Sequence, residues 1–163
     1  MNPFRLLRDT GVGRGRYLLR AWLVAVVPAL LLFFALIAIG EATLRPRAGM
    51  PDGGTLAASL LVAPVVETAL MFPFAWLLAR VLPAREGLRV LALALLAALA
   101  HYPGGHWRQV VNALWPFAVF AATLFAWLRH SWRDALALTA AVHALYNATF
   151  LAVGVLGLLV AGR

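Results

Sequence analysis

The sequence predicts an all-α polytopic membrane protein of about five transmembrane helices, and three observations carry that prediction. First, 64% of the 163 residues are hydrophobic and only 12% are charged, whereas a soluble domain carries about 25% charged residues. Mean hydropathy is +0.88, and a chain this short cannot hide so much apolar surface in its own core. Second, apolar runs near the length of a bilayer span recur along the chain. Third, the charges lie between those runs. Cysteine is absent, which excludes a disulfide framework, a thiolate metal site, a cysteine nucleophile and a palmitoyl anchor. A net charge of +8 would suit nucleic acid. The arginines, however, separate apolar runs and do not form a polar face, so the expected surroundings are a lipid bilayer, with no nucleic-acid partner.

A helix needs about 20 apolar residues to cross the hydrocarbon. The first run, Ala21 to Gly40, has that length. The others are Thr55 to about Leu82, a short one from about Leu88 to Tyr102, Gln109 to Leu128, and Ala135 to Ala161. Helices are expected because lipid demands internally satisfied backbone. A cleaved signal peptide is the rival for the first run, with Gly40-Glu41-Ala42 as its cleavage site. Its apolar stretch exceeds the roughly 7–15 residues of a signal h-region, so it reads as an uncleaved anchor. The chain is expected to be one membrane domain, 1–163: a basic cytoplasmic tail over 1–20, an anchor helix, and a four-helix core over about 55–161.

Orientation follows from arginine. Ten of the fourteen fall in the N-terminal segment, the loop from Arg80 to Arg89 and the turn from Arg129 to Arg133; the alternate loops and the C-terminus hold Arg45, Arg47, Arg108 and Arg163. The positive-inside rule then puts the N-terminus in the cytoplasm and the C-terminus outside. Trp22, Trp76, Trp127 and Trp132 fall near the inner ends, where an aromatic belt belongs.

Five of the six acids lie in tails or loops; Glu67 sits near the middle of the second run. A charge there costs about 2.5–3.5 kcal/mol on insertion scales, so such residues are by default functional; the plain alternative is a neutral acid holding two helices together. Pro64 and Pro73 flank it, and each removes an N–H, which frees the carbonyls of Leu60 and Ala69. His101, His143 and Asn147 are the other polar residues singled out inside spans, the last two sharing a helix face at a spacing of i, i+4. At 1.5 Å per residue, Glu67 lies about 20 Å from Arg80, His101 about 18 Å from Arg89, His143 about 14 Å and Asn147 about 20 Å from Asp134. Four polar groups on three helices therefore share a depth, and a common site is expected. The third run is undersized and ends at Pro103-Gly104-Gly105, which places a water-reachable vestibule near His106 and Trp107.

A carboxylate can take a proton from water as a general base, imidazoles can orient that water or donate to developing charge, and the Asn147 amide can stabilise an oxyanion. Together these groups suit hydrolysis of an acyl or peptide bond with no serine or cysteine nucleophile. No H-E-x-x-H is present, no serine elbow, and no aspartate within a span. A zinc site of two histidines and one glutamate, Glu67, His101 and His143, stays open on ligand count.

Ala63-Pro64-Val65-Val66-Glu67, then His101, then His143-Ala-Leu-Tyr-Asn147 resemble the CPBP intramembrane protease family, also called the CAAX-protease and bacteriocin-processing (Abi) family, over roughly residues 60–150. The family pattern is a Pro-preceded E-E-x-x-x-R, then F-x-x-x-H, then H-x-x-x-N. The resemblance implies that Glu67 activates water, that His101 is the second-motif histidine and that His143 and Asn147 belong to the oxyanion site. It implies a membrane-associated peptide or protein as substrate, and it leaves metal open. The second glutamate position is Thr68, the arginine position Phe72 and the phenylalanine position Ala97. Losing both members of a buried ion pair strands no charge, which marks a divergent first motif. Two other functions fit the same residues: a non-catalytic peptide-binding or immunity-type scaffold, and a proton-coupled transporter with Glu67 and the histidines as a relay.

Overall fold

The computed structural model describes residues 4–38, 52–82, 85–101 and 107–161, and among them it is helical without a strand. A short α1 (Phe4–Arg8) leads into α2 (Arg14–Ala38). A continuous run, Gly53–Val81, comprises α3 (Gly53–Ala57), a π-helical turn (Ala58–Val62) and α4 (Ala63–Val81). Then come α5 (Glu86–Leu99), α6 (Trp107–Leu128) and α7 (Trp132–Ala161). Four segments are long and apolar enough to cross a membrane: α2, the α3–α4 run, α6 and α7. The protein is thus an all-α polytopic membrane protein. The third expected span, α5, has 14 residues, a rise of only about 21 Å against a hydrocarbon thickness of about 30 Å. The expected end of that span at Tyr102, the Pro103-Gly104-Gly105 turn and the vestibule at His106 fall outside the described residues, as does Gly40-Glu41-Ala42.

Helix α6 is the central post. Of its most apolar stretch 61% is buried, against 22%, 17% and 17% for the other three spans. Val119, Phe120, Ala121 and Leu124 on α6 are enclosed, and small residues of the neighbouring helices share their core cluster: Ala21 and Ala25 of α2, Ala75 of α4, Ala94 of α5, Ala135 of α7. Lipid tails are as apolar as leucine, so helices in a bilayer associate through close packing, which small residues allow. The outer faces carry large exposed apolar side chains, among them Leu31, Leu61, Leu70 and Leu156. In water these would form patches beyond what a soluble monomer exposes.

The N-terminal segment departs from the expected tail. α1 packs into the bundle with Leu7 buried, and α2 begins at Arg14 with Tyr17 fully enclosed. The Tyr17 hydroxyl donates to the Leu7 carbonyl at 3.0 Å, and its ring meets Trp127 edge-on at 5.2 Å. The arginines find acids on later elements: Arg14 reaches Asp134 at 2.8 Å, and Glu86 takes Arg8 at 3.3 Å and Arg129 at 2.9 Å. Arg20 pairs with Asp9 at 3.3 Å, and Thr10 and His130 share a hydrogen bond of 2.7 Å. Exposed pairs contribute little individually. Their arrangement shows, however, that the N-terminal segment, the start of α5 and the α6–α7 turn share one end of the bundle, as the arginine sorting requires.

The tryptophan belt is divided. Trp76 and Trp132 are exposed, with the guanidinium groups of Arg80 and Arg133 over their rings at 3.5 Å and 5.3 Å. Trp127 is buried, and Trp22 turns inward, donating to Thr149 Oγ1 of α7 at 3.0 Å. An indole N–H with a bundle partner within reach has no need of the interface. At the opposite end, Asp52 caps α3, its carboxylate accepting from the Thr55 amide at 2.7 Å. That bond holds its carboxyl below the usual aspartate range.

The latch between α1 and α2 is testable. Tyr17→Phe keeps the ring contact and removes one buried hydrogen bond, so unfolding in mixed micelles is expected to become easier by about 1 kcal/mol. Limited proteolysis of the same variant should cut near Arg8 sooner than in the wild type.

Candidate functional site

Three of the four expected site residues converge. His101 Nε2 lies 3.8 Å and His143 Nε2 3.7 Å from the same oxygen, Glu67 Oε2. Glu67 comes from the middle of the Gly53–Val81 run, near the start of α4, His143 from α7, and His101 from the turn after α5. Both separations exceed a direct hydrogen bond, and Oε2 has no partner among the described protein groups. Catalytic hydrogen bonds are often long before substrate arrives. A buried acceptor left open between two imidazoles is the kind of exception that calls for a functional account.

The two rings are held differently. The His101 Nδ1–H donates to the Ala97 carbonyl one turn back at 2.9 Å, which turns Nε2 toward Glu67. His143 is buried and its Nδ1 has no partner. An orphaned buried N–H is rarer than an under-used acceptor, so its single proton belongs on Nε2, pointing at the carboxylate. Both imidazoles thus turn Nε2 to the same space, one with Nδ1 tied to backbone and the other with Nδ1 unbonded.

Two residues that the sequence reading missed fix these rings. Phe120 of α6 stacks on His143 at 4.4 Å with 24° between planes. Phe117, one turn earlier, meets His101 at 5.0 Å and His143 at 5.8 Å. Their i, i+3 spacing on an apolar helix reads as ordinary core, so only the position of α6 between α5 and α7 reveals the role.

Asn147 does not face the carboxylate. Its Nδ2 donates to the Ser59 carbonyl at 2.9 Å. The carbonyl expected to be freed by Pro64 was that of Leu60, and the π-helical turn shifts the ladder. The Ala63 amide bonds Ala58, five residues back, instead of Ser59, and the residue five beyond Ser59 is Pro64, which has no N–H. Ser59 is therefore open, and Asn147 covers it.

The departures from the family pattern are accommodated without stranded charge. Thr68 is buried, Phe72 packs against the core, and Ala97 lines a cleft of about 300 Å³ that also contains Glu67, His101 and Phe117. The cleft lies between α4 and α5, flanked by the exposed Leu70, Phe74 and Leu96. Its opening is lateral, toward the lipid-facing surface. As for zinc, two imidazole nitrogens and a carboxylate are a suitable donor set, but the described residues include no group of three placed to hold a metal ion. Compared with family models, with curated proteins and with solved structures, the chain finds no match.

The stack on His143 predicts a measurable contribution. Phe120→Leu keeps apolar volume and removes the ring contact, and is expected to destabilise the bundle by about 1 kcal/mol. The imidazole of His143 should at the same time broaden in nitrogen NMR spectra as its orientation loosens.

Proposed function

We propose that the protein is an intramembrane endopeptidase of the CPBP type, hydrolysing a peptide bond with a glutamate-activated water. The observation that carries the reading is the placement of Glu67 Oε2 within 3.8 Å of two imidazole nitrogens from separate helices. A water donating to both Glu67 Oε2 and His101 Nε2 is oriented by both acceptors. Glu67 takes one of its protons as the oxygen attacks the scissile carbonyl carbon. The His143 Nε2–H donates to the oxygen that gains negative charge. Glu67 then passes its proton to the leaving nitrogen, the C–N bond breaks as the oxyanion re-forms the carbonyl, and a carboxylic acid and an amine result, with the second water proton left on the acid and Glu67 returned to carboxylate. No step requires a metal.

The lateral cleft supports a substrate that arrives within the bilayer, a membrane-associated peptide or protein with an apolar segment. The arginine excess at one end of the bundle supports a cytoplasmic N-terminus and an outward C-terminus in a bacterial plasma membrane. The non-catalytic scaffold is supported by one observation, the neutral Thr68 and Phe72 at the positions of the family's second glutamate and arginine.

In purified, folded protein reconstituted with an apolar transmembrane peptide, Glu67→Gln, His101→Ala and His143→Ala are each expected to lower cleavage by at least about 100-fold. Cleavage that persists in Glu67→Gln rejects the general-base role. A wild-type chain that binds the peptide and never cuts it is the scaffold instead.

A further inference from the structure

The π-helical turn and the Asn147 hydrogen bond do more than complete a backbone ladder. Ser59 and Glu67 are eight residues apart. In an undistorted α-helix that separation leaves two side chains about 80° apart around the axis. One residue absorbed by the π turn reduces the separation to two turns of seven, and the angle to about 20°. Ser59 and Glu67 then present to one face, and that face meets α7. There they encounter His143 and Asn147, which are themselves four apart and so share one face. The His143–Glu67 approach is 3.7 Å and the Asn147–Ser59 bond is 2.9 Å. Helix α7 therefore grips the α3–α4 run at two successive points, one with a hydrogen bond and one with the reactive pair.

No side chain of α3 or of the π turn is buried, so no enclosed apolar side chain holds this first third of the run. A π turn forfeits regular hydrogen bonding, and here Pro64 removes a further donor. The carboxamide of Asn147 supplies the missing one. We propose that Asn147 is a positioning residue: by capping the Ser59 carbonyl it holds the π turn in place, and thereby sets the registry of α4 on α7 that aims Glu67 at His143. This differs from an oxyanion role, since the amide acts on backbone and not on substrate. The registry stands on geometry alone; its consequence for turnover rests on the proposed peptidase reaction.

The absence of cysteine provides the test. In the full chain carrying Glu67→Cys and His143→Cys, a short bis-methanethiosulfonate reagent reads the approach of α4 to α7 with no need for catalysis. Adding Asn147→Leu, which keeps shape and removes the donor, is expected to slow cross-linking by about tenfold, the scale on which displacements near an ångström act. Deleting Leu61, which is exposed, removes the residue that the π turn accommodates. The deletion is expected to leave cross-linking unchanged by itself and to restore it in the Asn147→Leu background, a rescue that a merely space-filling asparagine would not show. Asn147→Ala provides the same comparison if the leucine variant fails to reach the membrane. Unchanged cross-linking in the asparagine variants, or no rescue by the deletion, overturns the proposal. In the chain with Glu67 and His143 intact, Asn147→Leu should lower kcat and leave KM in place, and a rise in KM alone would place Asn147 on the substrate instead. If cross-linking behaves as expected and no peptide is ever cut, the positioning role stands and the peptidase reading falls.

Discussion

A carboxylate at mid-bilayer depth has to be met by polar groups from other helices, and much of this structure is arranged around meeting it. Glu67 cannot be left to lipid, so α4 must turn it toward α5 and α7, where His101 and His143 approach the same oxygen. That requirement explains why α6 stands at the centre. Its Phe117 and Phe120 fill the space behind both imidazoles and hold the rings toward the carboxylate. It also gives meaning to the distorted α3–α4 run, whose π turn and proline would be a plain defect in a helix that had only to span.

The polar end of the bundle answers a second demand with the same economy. Asp9, Glu86 and Asp134 each take an arginine, and the pairs of Glu86 and Asp134 join elements distant in sequence. Individually such exposed pairs are weak. Jointly, with Tyr17 and Leu7 buried beneath them, they turn a basic segment into a cap over α5, α6 and α7. The Glu67–histidine cluster and the ionic cap thus occupy different depths of one bundle, and the acids other than Glu67 stay where water can reach them or outside the described residues.

Part of the site was legible before folding because helical rise is a fixed ruler. Counting residues from the flanking charges set Glu67, His101 and His143 near one depth, and the helices carry them to a common point. Asn147 satisfied the same count and nevertheless faces elsewhere. Depth along a helix says nothing about which backbone carbonyl lies opposite, and that carbonyl was displaced from Leu60 to Ser59 by a turn invisible to hydropathy. Phe117 and Phe120 were hidden for the opposite reason: in an apolar helix an aromatic ring that orients a catalytic-type imidazole has the same pattern as one that fills a core. The short α1 was hidden because five residues have no periodicity to read.

By itself the sequence determined the class of this protein, an all-α membrane bundle, because lipid penalises every exposed backbone group and every unpaired charge and so leaves few arrangements for long apolar runs. It also determined that one carboxylate and two imidazoles would lie at one depth. The tertiary structure alone decided their contacts: which nitrogen of each imidazole turns to the carboxylate, what holds each ring, and that Asn147 grips the helix of Glu67 through the Ser59 carbonyl. Those outcomes depend on angles between helices and on one shifted hydrogen bond, and neither leaves a trace in composition or spacing.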